Sequence, residues 1–195
     1  MEELLSDTTT NFSQLPENLP PPVDDGACRH LVGTQAPSLA LRSTAGVTRN
    51  LAEIKATTAI IYCYPMTGKP GEPLPPGWDA IPGARGCTPE TCGFRDHYQE
   101  MTALGAEVLG ISTQSPEEQR EMVDRLHVPY EVLSDSGLAL TRALNLPHFT
   151  IEGRTFIKRL TLILRQGRIV HVFYPIFPPN AHADEVLSWL SKNRV

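Results

Sequence analysis

Thr88 followed by Pro89 is a helix start, and it stands between two cysteines. A threonine hydroxyl suits an N-cap, and a proline just after it loses nothing, because the N–H it lacks would have no helical partner. The run Gly86-Cys87-Thr88-Pro89-Glu90-Thr91-Cys92 follows an apolar, strand-like segment and a long Pro/Gly loop. Cys87 is thereby placed at the mouth of a helix, where partial positive charge and free N–H groups favour a thiolate. Cys92 falls inside the same helix. Five helical residues advance roughly 7.5 Å and rotate the side chain by about 140°. The two Cα atoms are then roughly 8–9 Å apart, beyond the span of a disulfide. The sulfurs meet only if the first turns unwind, which points to a peroxide-reactive thiol that afterwards forms a transient disulfide.

Around this run the chain alternates strand and helix patterns. Leu39–Arg42 and Val47–Leu51, with Gly46 between them, form a short hairpin pattern, and Thr58–Tyr64 is a continuous apolar, β-branched and aromatic run suited to a buried central strand. A helix is expected from about Thr88 to Leu104, ending at Gly105, then a strand over Ala106–Ser112. Ser115-Pro116-Glu117-Glu118 starts a second helix, Val132–Leu133 a strand, and Leu138–Asn145 a short helix. Phe156–Leu164 and Arg168–Tyr174 read as a hairpin, and Ala181–Lys192 as a closing amphipathic helix carrying Val186, Leu187, Trp189 and Leu190. That order predicts an α/β thioredoxin-like sandwich, a central mixed sheet flanked by helices, over residues 31–195. Residues 1–30 are polar and proline-rich without a period, and are expected to form an extended or mobile N-terminal extension.

Tyr62-Cys63-Tyr64-Pro65, the Gly86–Cys92 run with Phe94-Arg95-Asp96, Leu109-Gly110-Ile111-Ser112, Leu133-Ser134-Asp135 and Lys158-Arg159-Leu160-Thr161 occur in series from about Gly33 onward. In that order they resemble the peroxiredoxins, specifically the peroxiredoxin Q (bacterioferritin comigratory protein) subgroup. The resemblance implies the same fold, a peroxidatic Cys87, a resolving Cys92, and an Arg159 that faces the peroxide. It also implies a thiol-dependent peroxidase for hydrogen peroxide or organic hydroperoxides. The intramolecular Cys87–Cys92 disulfide would be recycled by thioredoxin or glutaredoxin, with no metal, flavin or nucleotide cofactor, in a monomer or weak homodimer. The chain departs from the family pattern Pro-x-x-x-Thr-x-x-Cys: Ala84 stands where the threonine is expected, and an insertion of about residues 66–82, rich in proline and glycine, follows Pro65. Thr67, just after Pro65, is the candidate to replace the missing hydroxyl. Trp78 either lines an apolar site for an organic peroxide or pins the loop to the surface.

Thiolate fraction alone does not make a fast peroxidase. Lowering a thiol pKa from about 8.5 to about 6 gains roughly 30-fold in thiolate at neutral pH, and nucleophilicity falls in step. The larger share must come from groups that hold the peroxide oxygens, and the fixed donor fork of Arg159 suits that task. Cys63 reads as a small buried hydrophobe, and Cys28 as a second resolving thiol only if the extension takes part. Cys87, Cys92 and His97 point to different helical faces and cannot converge on a tetrahedral metal. Arg95 and Asp96 are expected to make local helix contacts.

With 195 residues, a net charge of −5 and no basic run, the chain is not patterned for nucleic acid. Its longest apolar stretches, such as Ala59–Cys63 and Leu160–Leu164, are too short to span a bilayer, and the acidic Met1–Asp7 lacks the features of a secretion signal, so a reducing cytoplasm is expected. Two rival chemistries remain. A thioredoxin-type oxidoreductase would want its thiols one turn apart, as in CxxC. A redox sensor would oxidise once and stop.

Overall fold

The computed structural model describes residues 11–194, so the acidic first ten residues lie outside the described part of the chain. Among the described residues nine strands and five α-helices follow one another: β1 (Ala40–Ser43), β2 (Thr48–Asn50), β3 (Thr58–Cys63), α1 (Cys87–Asp96), α2 (Tyr98–Ala103), β4 (Ala106–Ser112), α3 (Pro116–Leu126), β5 (Val132–Ser134), α4 (Ala139–Ala143), β6 (His148–Ile151), β7 (Arg154–Ile157), β8 (Leu160–Arg165), β9 (Arg168–Phe173) and α5 (His182–Lys192). Seven strands form one mixed sheet in the order β2-β1-β5-β4-β3-β8-β9, and β6 and β7 pair separately.

All six residues of β3 are buried, because helices cover both faces of the sheet. Side chains alternate across the strand. Ala59, Ile61 and Cys63 pack with Leu109, Ile111, Leu162, Leu140 of α4, and Leu31. Ile60 and Tyr62 face Val108, Ile163, Phe94 of α1, Met101 of α2, Met122 of α3 and Val186 of α5. The thioredoxin-like sandwich is therefore as expected. At α3 the local reading also holds: Ser115 caps the helix by accepting from the Glu118 N–H, while the Glu118 carboxylate accepts from the Ser115 N–H.

Two elements differ from the expectation. The helix foreseen over Thr88–Leu104 bends at His97, which has φ −95° and ψ 7°. There the imidazole is held by Glu100 at 2.7 Å and by Asp184 of α5 at 3.0 Å. Its start also shifts. Gly86, at φ 98°, takes the cap position, Cys87 opens the helix, and Thr88 caps nothing. Only glycine serves at this site: a Cβ would stand 2.3 Å from Pro179 and 2.8 Å from Leu15. Pro89 remains harmless, since it is still among the first helical positions, whose N–H groups have no helical partner.

The second difference is the single strand read over Phe156–Leu164, which is broken between β7 and β8 at Lys158 and Arg159. The first part pairs instead with β6, through a Glu152-Gly153 turn in which both residues have positive φ, 48° and 77°. That is the backbone of a type I′ hairpin. The break lets Arg159 leave the strand and enter the interior, where it is 3% exposed.

Residues 11–30 contain no helix or strand, yet they do not stand clear of the domain. Cys28 and Leu31 are buried in the core, and Asp25 bonds Lys158 at 3.0 Å and the Tyr174 hydroxyl at 2.9 Å.

Candidate active site

Cys87, Arg159 and Glu90 come together at the start of α1, each almost fully buried. Arg159 donates from Nη2 to the Cys87 sulfur at 3.2 Å, and to the carbonyls of Arg85 at 2.9 Å and Gly83 at 3.3 Å. Its Nη1 is ion-paired with the Glu90 carboxylate. The backbone N–H of Met66 also hydrogen-bonds the sulfur, while the Cys87 thiol lies 3.6 Å from the Ala84 carbonyl. Arg159 is thus fixed from three sides, with Nε and the Glu90 Oε1 as buried atoms that have no partner among the described residues.

Burial is the largest influence on Cys87 and pushes its thiol up; the Arg159 charge opposes this, and the Glu90 carboxylate pushes the same way as burial. Burial likewise raises the Glu90 carboxyl, again opposed by Arg159. The thiolate preference expected from the helix mouth is therefore outweighed in this closed arrangement. Burial is the main cause, and the Glu90 carboxylate that shares Arg159 with the sulfur adds to it. What the arrangement provides is a fixed cation against a nucleophile, the kind of preorganised charge that stabilises a breaking O–O bond.

Cys92 lies on the same helix and is half-buried; burial raises its thiol and Arg95 opposes that rise. Bridging it to Cys87 requires α1 to open. The bonds that hold the middle of α1 are the Tyr130 hydroxyl to the Thr91 carbonyl at 3.0 Å, the Tyr62 hydroxyl to the Thr91 hydroxyl at 3.3 Å, and Phe94 stacked on Tyr62 at 4.4 Å.

The Thr67 hydroxyl is engaged by Gln114. It donates to Gln114 Oε1 at 3.1 Å, as does the Thr67 N–H at 3.0 Å, and Gln114 returns a bond to the Thr67 carbonyl at 3.3 Å. This clasp joins the insertion to the loop after β4, and it commits the hydroxyl proton to Gln114. The small cavity against Cys87 is lined instead by Phe12, Met66, Gly68, Leu74, Trp78, Ala84, Arg85 and Thr88. Thr67→Val should accordingly leave the rate of Cys87 oxidation within a few-fold and lower stability by about 1 kcal/mol, the usual net worth of a hydrogen bond. Stopped-flow oxidation and urea unfolding would check both; a hundred-fold loss of rate would restore the hydroxyl to the chemistry.

Trp78 pins the insertion. It is buried against Phe149 and Phe156 of the β6–β7 hairpin, at 5.7 and 5.0 Å, and it also walls the Cys87 cavity. Cys63 is a core residue of β3, and its thiol is raised by burial. Cys28 packs in the same cluster, across the sheet from Cys87, and its thiol is pushed up to about 12 by burial. Arg95 makes the expected local contact, to Asp96, and also donates across to α3, to the Leu126 carbonyl at 2.8 Å. The residue that sequence reasoning missed is Glu90. It stands three positions after Cys87, on the same helical face, and that spacing was its only signal.

Comparison with known proteins bears on the family and the fold. The family model described as Redoxin matches residues 31–187. The chain is 30% identical over 162 residues to the chloroplastic peroxiredoxin Q of Populus jackii, covering 81% of this chain and 67% of that one. It is 28% identical over 165 residues to peroxiredoxin Bcp of Escherichia coli K12, covering 83% and 96%. The fold matches the crystal structure of peroxidoxin BcpB from Mycobacterium tuberculosis with a TM-score of 0.68 at 24% identity, over 84% of this chain and 98% of that one.

Proposed function

The chain belongs to the Redoxin family, with the peroxiredoxin Q and Bcp proteins, and from that premise we propose how its residues divide the work of a thiol-dependent peroxidase. Residues 31–195 act as the catalytic domain and residues 1–30 as an accessory segment. The observation that carries the assignment is the 3.2 Å contact between Arg159 Nη2 and the Cys87 sulfur inside a buried site.

Cys87, as thiolate, attacks one peroxide oxygen. The S–O bond forms as the O–O bond breaks, sulfur loses two electrons, and the departing alkoxide or hydroxide takes a proton to leave as alcohol or water. Arg159 holds the oxygen on which charge develops, and Glu90 holds Arg159. The start of α1 then unwinds, and Cys92 attacks the Cys87 sulfenic acid, forming the S–S bond and releasing water. A thioredoxin-type dithiol reduces that disulfide by exchange. Thioredoxin or glutaredoxin is our choice for this partner, acting on a monomer or weak homodimer in a reducing compartment such as the cytoplasm. Among the described residues no helix is long and apolar enough to cross a membrane.

Burial of Cys87 to 2% counts against a general disulfide oxidoreductase, since the attacking sulfur would have to reach a disulfide on another protein. The test is Cys92→Ser. One equivalent of peroxide should be consumed and turnover should stop, with sulfenic acid or its overoxidised forms on Cys87 by mass spectrometry. Oxidised wild type should show a Cys87–Cys92 bridge. A bridge containing Cys28 would overturn the assignment, and a wild-type chain that oxidises once without turning over under a thioredoxin system would make it a sensor.

A further inference from the structure

Residues 12–22 run along the mouth of the Cys87 site and are seated on its glycines. The Phe12 ring comes within 2.3 Å of where a Cβ on Gly68 would stand, Leu15 within 2.8 Å of the same point on Gly86, and Pro22 within 3.6 Å on Gly83. The Arg85 guanidinium lies 5.8 Å from the Phe12 ring centroid. Downstream the segment is anchored by Asp25, on Lys158 and Tyr174, and by buried Cys28. Upstream of that anchor, among the described residues, no backbone–backbone hydrogen bond ties residues 11–25 to the domain. Side-chain packing alone holds the free arm, so it can lift without breaking a ladder.

With Phe12 seated, the void against Cys87 measures only about 10 Å³. That is room for about one water molecule, too little for any organic hydroperoxide. The apolar remainder of the wall is Met66, Leu74 and Trp78. We propose that residues 12–22 form a hinged outer wall of the peroxide pocket, and that Phe12 is a specificity-determining residue: seated on Gly68 it favours the smallest peroxides, and bulkier organic hydroperoxides reach Cys87 only when it lifts. The proposal rests on the peroxidase reading above, and adds to it the size of substrate this chain admits.

Two substitutions should unseat the ring independently. Phe12→Ala removes it. Gly68→Ala expels it, because the new Cβ takes the ring's place, while the backbone at Gly68 is not left-handed and accepts alanine. In the full chain, the ratio of Cys87 oxidation rates for cumene hydroperoxide over hydrogen peroxide should rise about tenfold or more in either variant, the scale on which pocket walls discriminate. The double variant should add nothing further, since both act through one contact. In a Cys92→Ser background, alkylation of Cys87 by fluorescein maleimide relative to iodoacetamide should rise in parallel, a measure of access that needs no peroxidase activity. Both ratios staying within about twofold of wild type in both variants, or rises that multiply in the double, would overturn the wall. If the maleimide ratio rises in a protein that consumes no peroxide, the wall stands and the peroxidase reading fails.

Discussion

Cys87→Ser should abolish peroxide consumption in a protein that still folds, while Cys63→Ala should turn over nearly as wild type. The serine hydroxyl is close to the thiol in shape and can still accept from Arg159 and the Met66 N–H, so the site keeps its packing and its hydrogen bonds. What it loses is an ionisable, polarisable nucleophile, because peroxide is attacked by the thiolate and an alcohol does not ionise near neutral pH. Cys63 offers the contrast. It is fully buried within β3, its thiol is raised by burial, and it packs on the face of the sheet opposite Cys87. Its loss costs packing, about 1 kcal/mol for so small a change, and no chemistry. Peroxide consumption in the presence of a thioredoxin system, with circular dichroism to confirm folding, separates the two. Loss of turnover in folded Cys63→Ala, or residual turnover in Cys87→Ser, would reverse the assignment of the nucleophile.

How far the sequence reveals this site depends on how local each signal is. Cys87 and Cys92 are legible because a helix start, a proline and two sulfurs lie within one run. The central strands are legible where apolar runs are continuous, as in β3 and β4. Arg159 was reached only through resemblance, since nothing near it in sequence shows that the chain leaves the strand there. The same concealment merged β7 with β8: Phe156–Leu164 is apolar enough to read as one strand, and the interruption exists so that a buried cation can meet Cys87. Glu90 was invisible for a different reason. A glutamate in the first turn of a helix has an ordinary explanation in the helix dipole, and only the fold shows that it is fully buried. The partner of Thr67 is not legible because the hydroxyl bonds Gln114, more than forty positions away. Phe12 and Leu15 are sparse apolar residues in a polar, proline-rich stretch, too few to make a period, and their meaning lies in the glycines they cover.

Arg159→Gln should slow oxidation of Cys87 by about 10²–10³, the cost of losing one preorganised donor to a developing oxyanion, equivalent to roughly 2.7–4 kcal/mol. It should also destabilise the fold, by about 3–5 kcal/mol at neutral pH, because it strands a fully buried carboxylate whose Oε1 already lacks a partner. The two effects have separate causes and can be separated. Adding Glu90→Gln removes the stranded charge and should recover most of the stability while restoring none of the rate. The pH dependence gives the sign. Burial raises the Glu90 carboxyl in the folded state, and Arg159 is the largest influence opposing that rise. Without Arg159 the folded protein holds the Glu90 proton more tightly than the unfolded chain does. Stability is then greatest below the unfolded carboxyl pKa and is lost as pH climbs through the raised folded value. The deficit of Arg159→Gln relative to wild type should therefore shrink as pH is lowered from about 8 to about 5, and the double variant should show no such slope. Urea unfolding across that range, beside stopped-flow oxidation, measures both halves. A single variant that reacts within about tenfold of wild type would show that Arg159 serves the fold rather than the transition state. A stability deficit that does not change with pH would mean that Glu90 is already protonated beside Arg159, so that removing the guanidinium strands no charge.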